Sequence, residues 1–196
     1  MNLIGGCVLY NTGKNLCNVL LRSLYRIDIR GTYNIPDSGA VMFCANHISN
    51  LDPILMGIAS PRKIHYMAKD ELFRIPFLAV LLRVLGAFPV RRGKADRTAL
   101  RTGIDVLKAG NVLGLFPEGT RSRNGKLGKA HSGVAYFALR TNCRVVPVAI
   151  SGSYRLFSRM SIAFGESVNV SDLSTNESHI ATGRIMNSIE AMLLSP

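Results

Sequence analysis

Acidic residues are scarce in this chain. Twelve Asp and Glu stand against 24 Lys and Arg, a net charge of +12 over 196 residues. Tryptophan is absent. The four cysteines (Cys7, Cys17, Cys44 and Cys143) lie far apart, with no CxxC pair and no His/Cys cluster. That spacing excludes a disulfide scaffold and a zinc module, predicts no metal site, and fits a reducing compartment. No uncharged apolar run reaches the roughly 18 residues a membrane-crossing helix needs. The N-terminus lacks the basic start and small-residue cleavage site of a signal peptide. Disorder is excluded as well, because only 18% of residues are charged and 47% are apolar. That composition supports one sizeable core, in one domain or two small ones at most.

The charge that is present is uneven. Of the 24 basic residues, 23 lie in positions 1–160, against eight acidic ones, a net of +15 there. Residues 161–196 carry a net of −3. Seventeen of the cations are Arg, whose planar fork suits phosphate oxygens. The pattern points to a phosphate-bearing molecule, an anionic membrane or nucleic acid, or else to a solubilising basic surface.

Residues 14–27 have helical period, with Leu16, Cys17, Leu20, Leu21, Leu24 and Ile27 on one face and Lys14, Arg22 and Arg26 around it. Such a helix can lie in a membrane interface or pack on the core. Strands then alternate with helices. Strands are expected at 40–45, 62–68, 86–90, 112–116, 144–150 and 161–165. Helices are expected at 53–60, 70–85 with an interruption at Pro76, 95–109, 130–140 and 179–194. Asp52 is the expected N-cap of the first of these, with Pro53 at its first position. The alternation predicts an α/β fold: a mixed, largely parallel central sheet flanked by helices. Residues 1–27 form an N-terminal interfacial segment and 28–196 the main domain. The apolar stretch 73–88 can be core, tunnel wall or membrane face.

Three polar clusters each follow a predicted strand: Asn46 to Pro53, Arg91 to Lys94, and Pro117 to Ser122. In a parallel sheet all three gather at the carboxyl edge, where α/β folds place their sites. His47 in the loop before a helix can fold back onto Asp52, whose carboxylate would orient the ring and leave the other nitrogen as a general base. The bland alternative makes Asp52 a cap and His47 a loop histidine. The same spacing recurs at His65 and Asp70, where strand residue and cap suffice. No GxSxG elbow is present, and Cys44 sits in a buried strand. A base without a protein nucleophile suits attack by the substrate's own hydroxyl. Phe116 to Ser122 reads as a strand, a Gly119 turn and a cationic loop: an anion site, or a polar turn with a local Glu–Arg pair.

These residues carry a resemblance. Asn46-His47 through Asp52-Pro53 looks like the NHxxxxDP block of the 1-acyl-sn-glycerol-3-phosphate acyltransferases. Gly86 to Arg92 is similar to that family's second block, Phe116 to Ser122 to its third, and Val145 to Ile150 to its fourth. The resemblance extends from about Ile29 to Gly165. It implies transfer of a fatty acyl group from acyl-carrier-protein or acyl-CoA thioester to the 2-hydroxyl of lysophosphatidic acid, giving phosphatidic acid, with no further cofactor. It implies that His47 takes the hydroxyl proton, that Asp52 orients His47, and that no acyl-enzyme forms. It assigns Glu118, Gly119, Thr120 and Arg121 to the glycerol-phosphate head, with Arg91 and Lys69 assisting. His131 and Pro89 depart from the family pattern. The expected setting is a peripheral or monotopic protein on the cytoplasmic face of the cell membrane. Other acceptors keep the same chemistry: glycerol-3-phosphate, a lysophospholipid or an acylated amino-acid lipid. A nucleic-acid partner is not expected, since no aromatic RNA-binding motif, recognition helix or zinc signature is present. A lipid-docking protein without catalysis would have no use for the His47/Asp52 pair.

Overall fold

The computed structural model describes residues 3–91, 96–122 and 125–194. Arg92, Gly93 and Lys94 of the second polar cluster lie outside that range, as do Met1 and Asn2. Among the described residues, seven strands form one sheet, in the order β1-β7-β6-β2-β5-β3-β4. The strands are β1 (Arg26–Arg30), β2 (Val41–Ala45), β3 (Ile64–Lys69), β4 (Ala87–Val90), β5 (Val112–Leu115), β6 (Arg144–Gly152) and β7 (Arg159–Phe164). The helices are α1 (Leu3–Leu24), α2 (Asp52–Ala59), α3 (Pro76–Val84), α4 (Arg97–Lys108), α5 (Gly133–Thr141) and α6 (Ser178–Leu194).

The central strands β6, β2, β5, β3 and β4 are mutually parallel, which the gathering of polar loops at one edge requires. The sheet is mixed because β7 runs antiparallel to β6. β1 is parallel to β7, so the start of β1 and the β6–β7 turn also lie at the carboxyl edge. β2 is buried throughout, as expected for a strand covered on both faces. Its side chains alternate with period two. Val41, Phe43 and Ala45 enter the core that α1 and α2 close, while Met42 and Cys44 enter the core under α4, α5 and α6.

Two local expectations change and one holds. The helix expected to run to Ile27 ends at Leu24 and begins earlier, at Leu3, while Ile27 belongs to β1. β1 is RIDIR, with exposed Arg26, Asp28 and Arg30 alternating with partly buried Ile27 and Ile29; its charges hide an edge strand. The interruption at Pro76 is real: a 3-10 turn over Asp70–Arg74 precedes α3, which starts at the proline because a proline tolerates the first helical turn but not the interior. Asp52 is not the N-cap of α2. Leu51 holds that position and Asp52 is the first helical residue, for a reason found in the loop before it.

The apolar face expected on α1 is split. Tyr10 and Leu21 are buried, and Lys14 Nζ donates to the Ser60 carbonyl at the end of α2. Burial lowers the Lys14 pKa. Leu16 (69% exposed), Val19 and Leu20 point outward with Val8 and Leu9. Beside them α3, which touches α1, leaves Phe77 (82% exposed), Val80 and Leu81 uncovered. Among the described residues, no helix is long and apolar enough to cross a membrane.

Candidate active site

β2 ends at Ala45, and the chain turns over the carboxyl edge at Asn46. The buried Asn46 side chain fixes that exit. Its Nδ2 donates to the Ile150 carbonyl at 2.8 Å, and its Oδ1 accepts from the Ile150 N–H at 2.7 Å. A two-point bond to the neighbouring β6 fixes where the loop starts.

The loop then wraps around Asp52. Its Oδ2 accepts from the backbone N–H of Ile48 at 2.6 Å and of Ser49 at 2.7 Å. The same oxygen lies 2.7 Å from Nδ1 of His47. These upstream donors take the carboxylate away from the helix it begins, so Asp52 organises the loop instead of capping α2. The Asp52 side chain has 0% exposure, and that of His47 has 12%. A carboxylate without solvent needs such charge-assisted donors. With Nδ1 on Asp52, Nε2 is the nitrogen left for an incoming group. The His47 ring stacks on Phe116, centroids 4.1 Å apart at 24°.

The third cluster follows β5, the neighbour of β2 on the other side. Buried Glu118 bridges two loops: Oε1 accepts from the His47 N–H at 3.0 Å, and Oε2 from the Gly128 N–H at 2.8 Å. A Cβ at Gly128 would lie 2.8 Å from Oε2, so a larger residue there would make the Glu118 carboxylate shift. The Ser122 N–H donates to the His47 carbonyl at 2.7 Å, so the His47 loop and the 117–122 loop are joined twice. Gly119 turns the chain with φ +65°, a left-handed conformation that favours glycine. Beyond it opens a depression of about 500 Å³ lined by Glu118, Thr120, Arg121, Lys126 and Lys129, among others. Thr120, Arg121, Lys126 and Lys129 are exposed there, a donor set suited to a phosphate.

Five of the expected residues, His47, Asp52, Glu118, Thr120 and Arg121, therefore meet around two adjacent strand ends, with Gly119 as their hinge. Lys69 and Arg91 stand apart. Lys69 ends β3 and pairs with Glu71 at 3.3 Å. Arg91 follows β4, at the sheet edge three strands from His47, or about 14 Å at the usual strand spacing. Its backbone N–H donates to Asp96, and that bond is the leading cause that lowers the Asp96 pKa.

Sequence reasoning missed four members. Phe116 was legible as the last apolar residue before the cationic loop. Lys126 and Lys129 belong to a basic run, and only the fold reveals that they line one depression with Arg121. Tyr154, whose hydroxyl donates to Asp52 Oδ1 at 2.7 Å, gave no signal. Among the described residues, no group of three or more His, Cys, Asp or Glu is placed to hold a metal ion.

Comparison with known proteins adds four findings. The acyltransferase family model matches residues 26–151. The 1-acyl-sn-glycerol-3-phosphate acyltransferase of Bacillus subtilis strain 168 is 32% identical over 173 residues, covering 85% of this chain and 85% of that protein. The protein of the same name from Borreliella burgdorferi is 31% identical over 147 residues, 74% of this chain, and the match spans 58% of its length. The crystal structure of the 1-acyl-sn-glycerophosphate (LPA) acyltransferase PlsC from Thermotoga maritima superposes with a TM-score of 0.76 at 25% identity, covering 97% of this chain and 79% of that one.

Proposed function

The chain belongs to the 1-acyl-sn-glycerol-3-phosphate acyltransferase family, and from that premise we propose that it moves a fatty acyl group from a thioester to the 2-hydroxyl of lysophosphatidic acid. The observation that carries this reading is the buried His47–Asp52 pair at 2.7 Å, with His47 bonded through its backbone to Glu118 and Ser122, two residues that line the cationic depression. His47 Nε2 accepts the proton of the 2-hydroxyl. The oxygen attacks the thioester carbonyl carbon and forms the new C–O bond. The tetrahedral intermediate collapses with cleavage of the C–S bond, and the thiolate takes the proton back from His47. Asp52 holds the imidazole tautomer and offsets its positive charge while it carries the proton. No side chain of the protein becomes acylated.

The head-group phosphate sits with Arg121, Thr120, Lys126 and Lys129. Both oxygens of Glu118 face backbone N–H groups, so Glu118 serves by bracing the two loops against each other. Lys69 and Arg91, two and three strands from the end of β2, act at longer range and steer the anionic acceptor. The donor is an acyl-carrier-protein or CoA thioester.

The exposed apolar faces of α1 and α3 support attachment to a membrane surface, where the acceptor resides. Basic residues on and near α1, Arg22 and Arg26 among them, suit an anionic leaflet. On this reading the protein is a peripheral or monotopic protein at the cytoplasmic face. Leu16→Asp combined with Leu20→Asp is expected to shift it from sedimented vesicles to the supernatant; unchanged sedimentation would remove α1 from this role.

The test is thiol release by purified protein supplied with lysophosphatidic acid, with glycerol-3-phosphate or with no acceptor. Release only with lysophosphatidic acid is the expected result. Release with glycerol-3-phosphate alone would keep the chemistry and change the acceptor.

A further inference from the structure

Asp52 is held from both sides. Oδ2 accepts from His47, Ile48 and Ser49. Among the described residues, the donor to Oδ1 is the hydroxyl of Tyr154, 102 residues away in sequence and 2.7 Å in space. We propose that Tyr154 is a positioning residue for acyl transfer: its hydroxyl fixes the plane of the Asp52 carboxylate and, through it, the His47 ring. The inference rests on the reading of His47 as general base. It reaches beyond the stretch the family model matches, which ends at residue 151.

The torsion that turns a carboxylate about its Cβ–Cγ bond is broad and two-fold, so it does not by itself set the plane. Hydrogen bonds do. Three donors on Oδ2 leave that oxygen as a pivot. A fourth donor, on the other oxygen, removes the remaining rotation. The His47 ring is bonded to the pivot oxygen, so the direction of Nε2 depends on where the plane lies.

Tyr154 is itself held in place. It lies in the turn between β6 and β7, which the antiparallel pairing of those strands sets at the carboxyl edge. Its ring meets Tyr25 edge-on, centroids 5.6 Å apart at 87°. Tyr25 is buried and directly follows α1. Two residues past Arg155, the Phe157 N–H donates to the Leu24 carbonyl at 2.7 Å. The turn is therefore fastened to the end of α1. Burial first, and the Asp52 charge second, push the Tyr154 hydroxyl far above the ordinary tyrosine range, so it remains a donor. Without it, Oδ1 would be a buried acceptor with no partner, a costly state that rotation or an entering water would relieve.

Tyr154→Phe keeps the ring and its contact with Tyr25 and deletes only the donor. The measurement is lysophosphatidic-acid-dependent thiol release, resolved into kcat and KM, with the melting temperature and the low-field imidazole N–H proton signal of His47. The expected result is a roughly ten- to hundredfold fall in kcat with KM for both substrates unchanged, the fold retained and the His47 signal shifted or broadened. Wild-type kcat, or a loss confined to KM, would overturn the proposal. Tyr25→Leu is the second variant, because it loosens the ring and leaves the hydroxyl. It should cost less in kcat than Tyr154→Phe; an equal or larger loss would mean that packing, not the donor, matters. His47→Ala in parallel separates the two readings. An active His47→Ala would sink the general-base reading together with this one. An inactive His47→Ala beside a fully active Tyr154→Phe would sink this one alone.

Discussion

Two histidines in this chain are each followed five residues later by an aspartate, and the fold treats them oppositely. His47 leaves the end of β2 into a loop whose N–H groups converge on Asp52, so ring and carboxylate meet at 2.7 Å. His65 lies within β3, where its neighbours on the strand point to opposite faces, and Asp70 opens the following turn and pairs with Arg74 at 3.6 Å. Burial and the nearby Lys63 lower the His65 pKa. The difference is one of backbone path. An extended segment carries its residues about 3.3 Å apart along a line, so a spacing of five separates the pair. A loop that turns back into a helix brings the same spacing into contact.

The comparison can be broken first at the aspartates. Asp52→Asn should lower kcat by roughly 10³-fold or more, by analogy with other His-orienting carboxylates, while Asp70→Asn should leave it within about twofold, because a surface ion pair contributes little. Equal effects would mean that the two pairs do not differ in role. The phosphate side sharpens the same contrast. Arg121→Ala should raise KM for lysophosphatidic acid about ten- to hundredfold, the scale of a lost charge-assisted hydrogen bond, with kcat changed less. Lys69→Ala, at the end of β3, should raise it by a smaller factor.

Glu118 supplies a third break. Glu118→Ala leaves the His47 and Gly128 N–H groups without their acceptor, at a cost of about 1–3 kcal/mol. For a chain of this size that lowers the melting temperature by roughly 2–12 °C, measurable by circular dichroism. The smallest expected effect belongs to His65. Its pKa is depressed in the folded state, so the unfolded chain binds the proton more readily. The contribution is present above the unfolded histidine value, near 6.5, and is lost as pH falls below it. Between pH 7 and pH 5, His65→Gln should therefore lose less melting temperature than the unmodified protein.

Much of this was readable in the amino-acid order, and the exceptions have physical causes. The buried central strands announce themselves as apolar runs, and parallel pairing follows from their alternation with helices. The His47 and Arg121 loops were found because polar residues directly follow such strands. β1 was missed because an edge strand carries charges on its open side, and RIDIR resembles no buried run. Asp52 was read as a cap because local spacing shows the helix start and not the upstream N–H groups that claim the carboxylate. Tyr154 was invisible for a different reason. Its partner is 102 residues away, and only the antiparallel return of β7 sets the turn beside the His47 loop. The depression had the same obstacle: Lys126 and Lys129 line it together with Arg121, a grouping that residue types do not specify.

The contrast between the two histidines is tested most directly by lysophosphatidic-acid-dependent thiol release by His47→Ala and His65→Ala, measured side by side at one pH with both proteins folded by circular dichroism. The expected result is release at the uncatalysed background for His47→Ala and within a few-fold of the unmodified protein for His65→Ala. Release retained by His47→Ala, or lost equally in both, would contradict the assignment of His47 as the base.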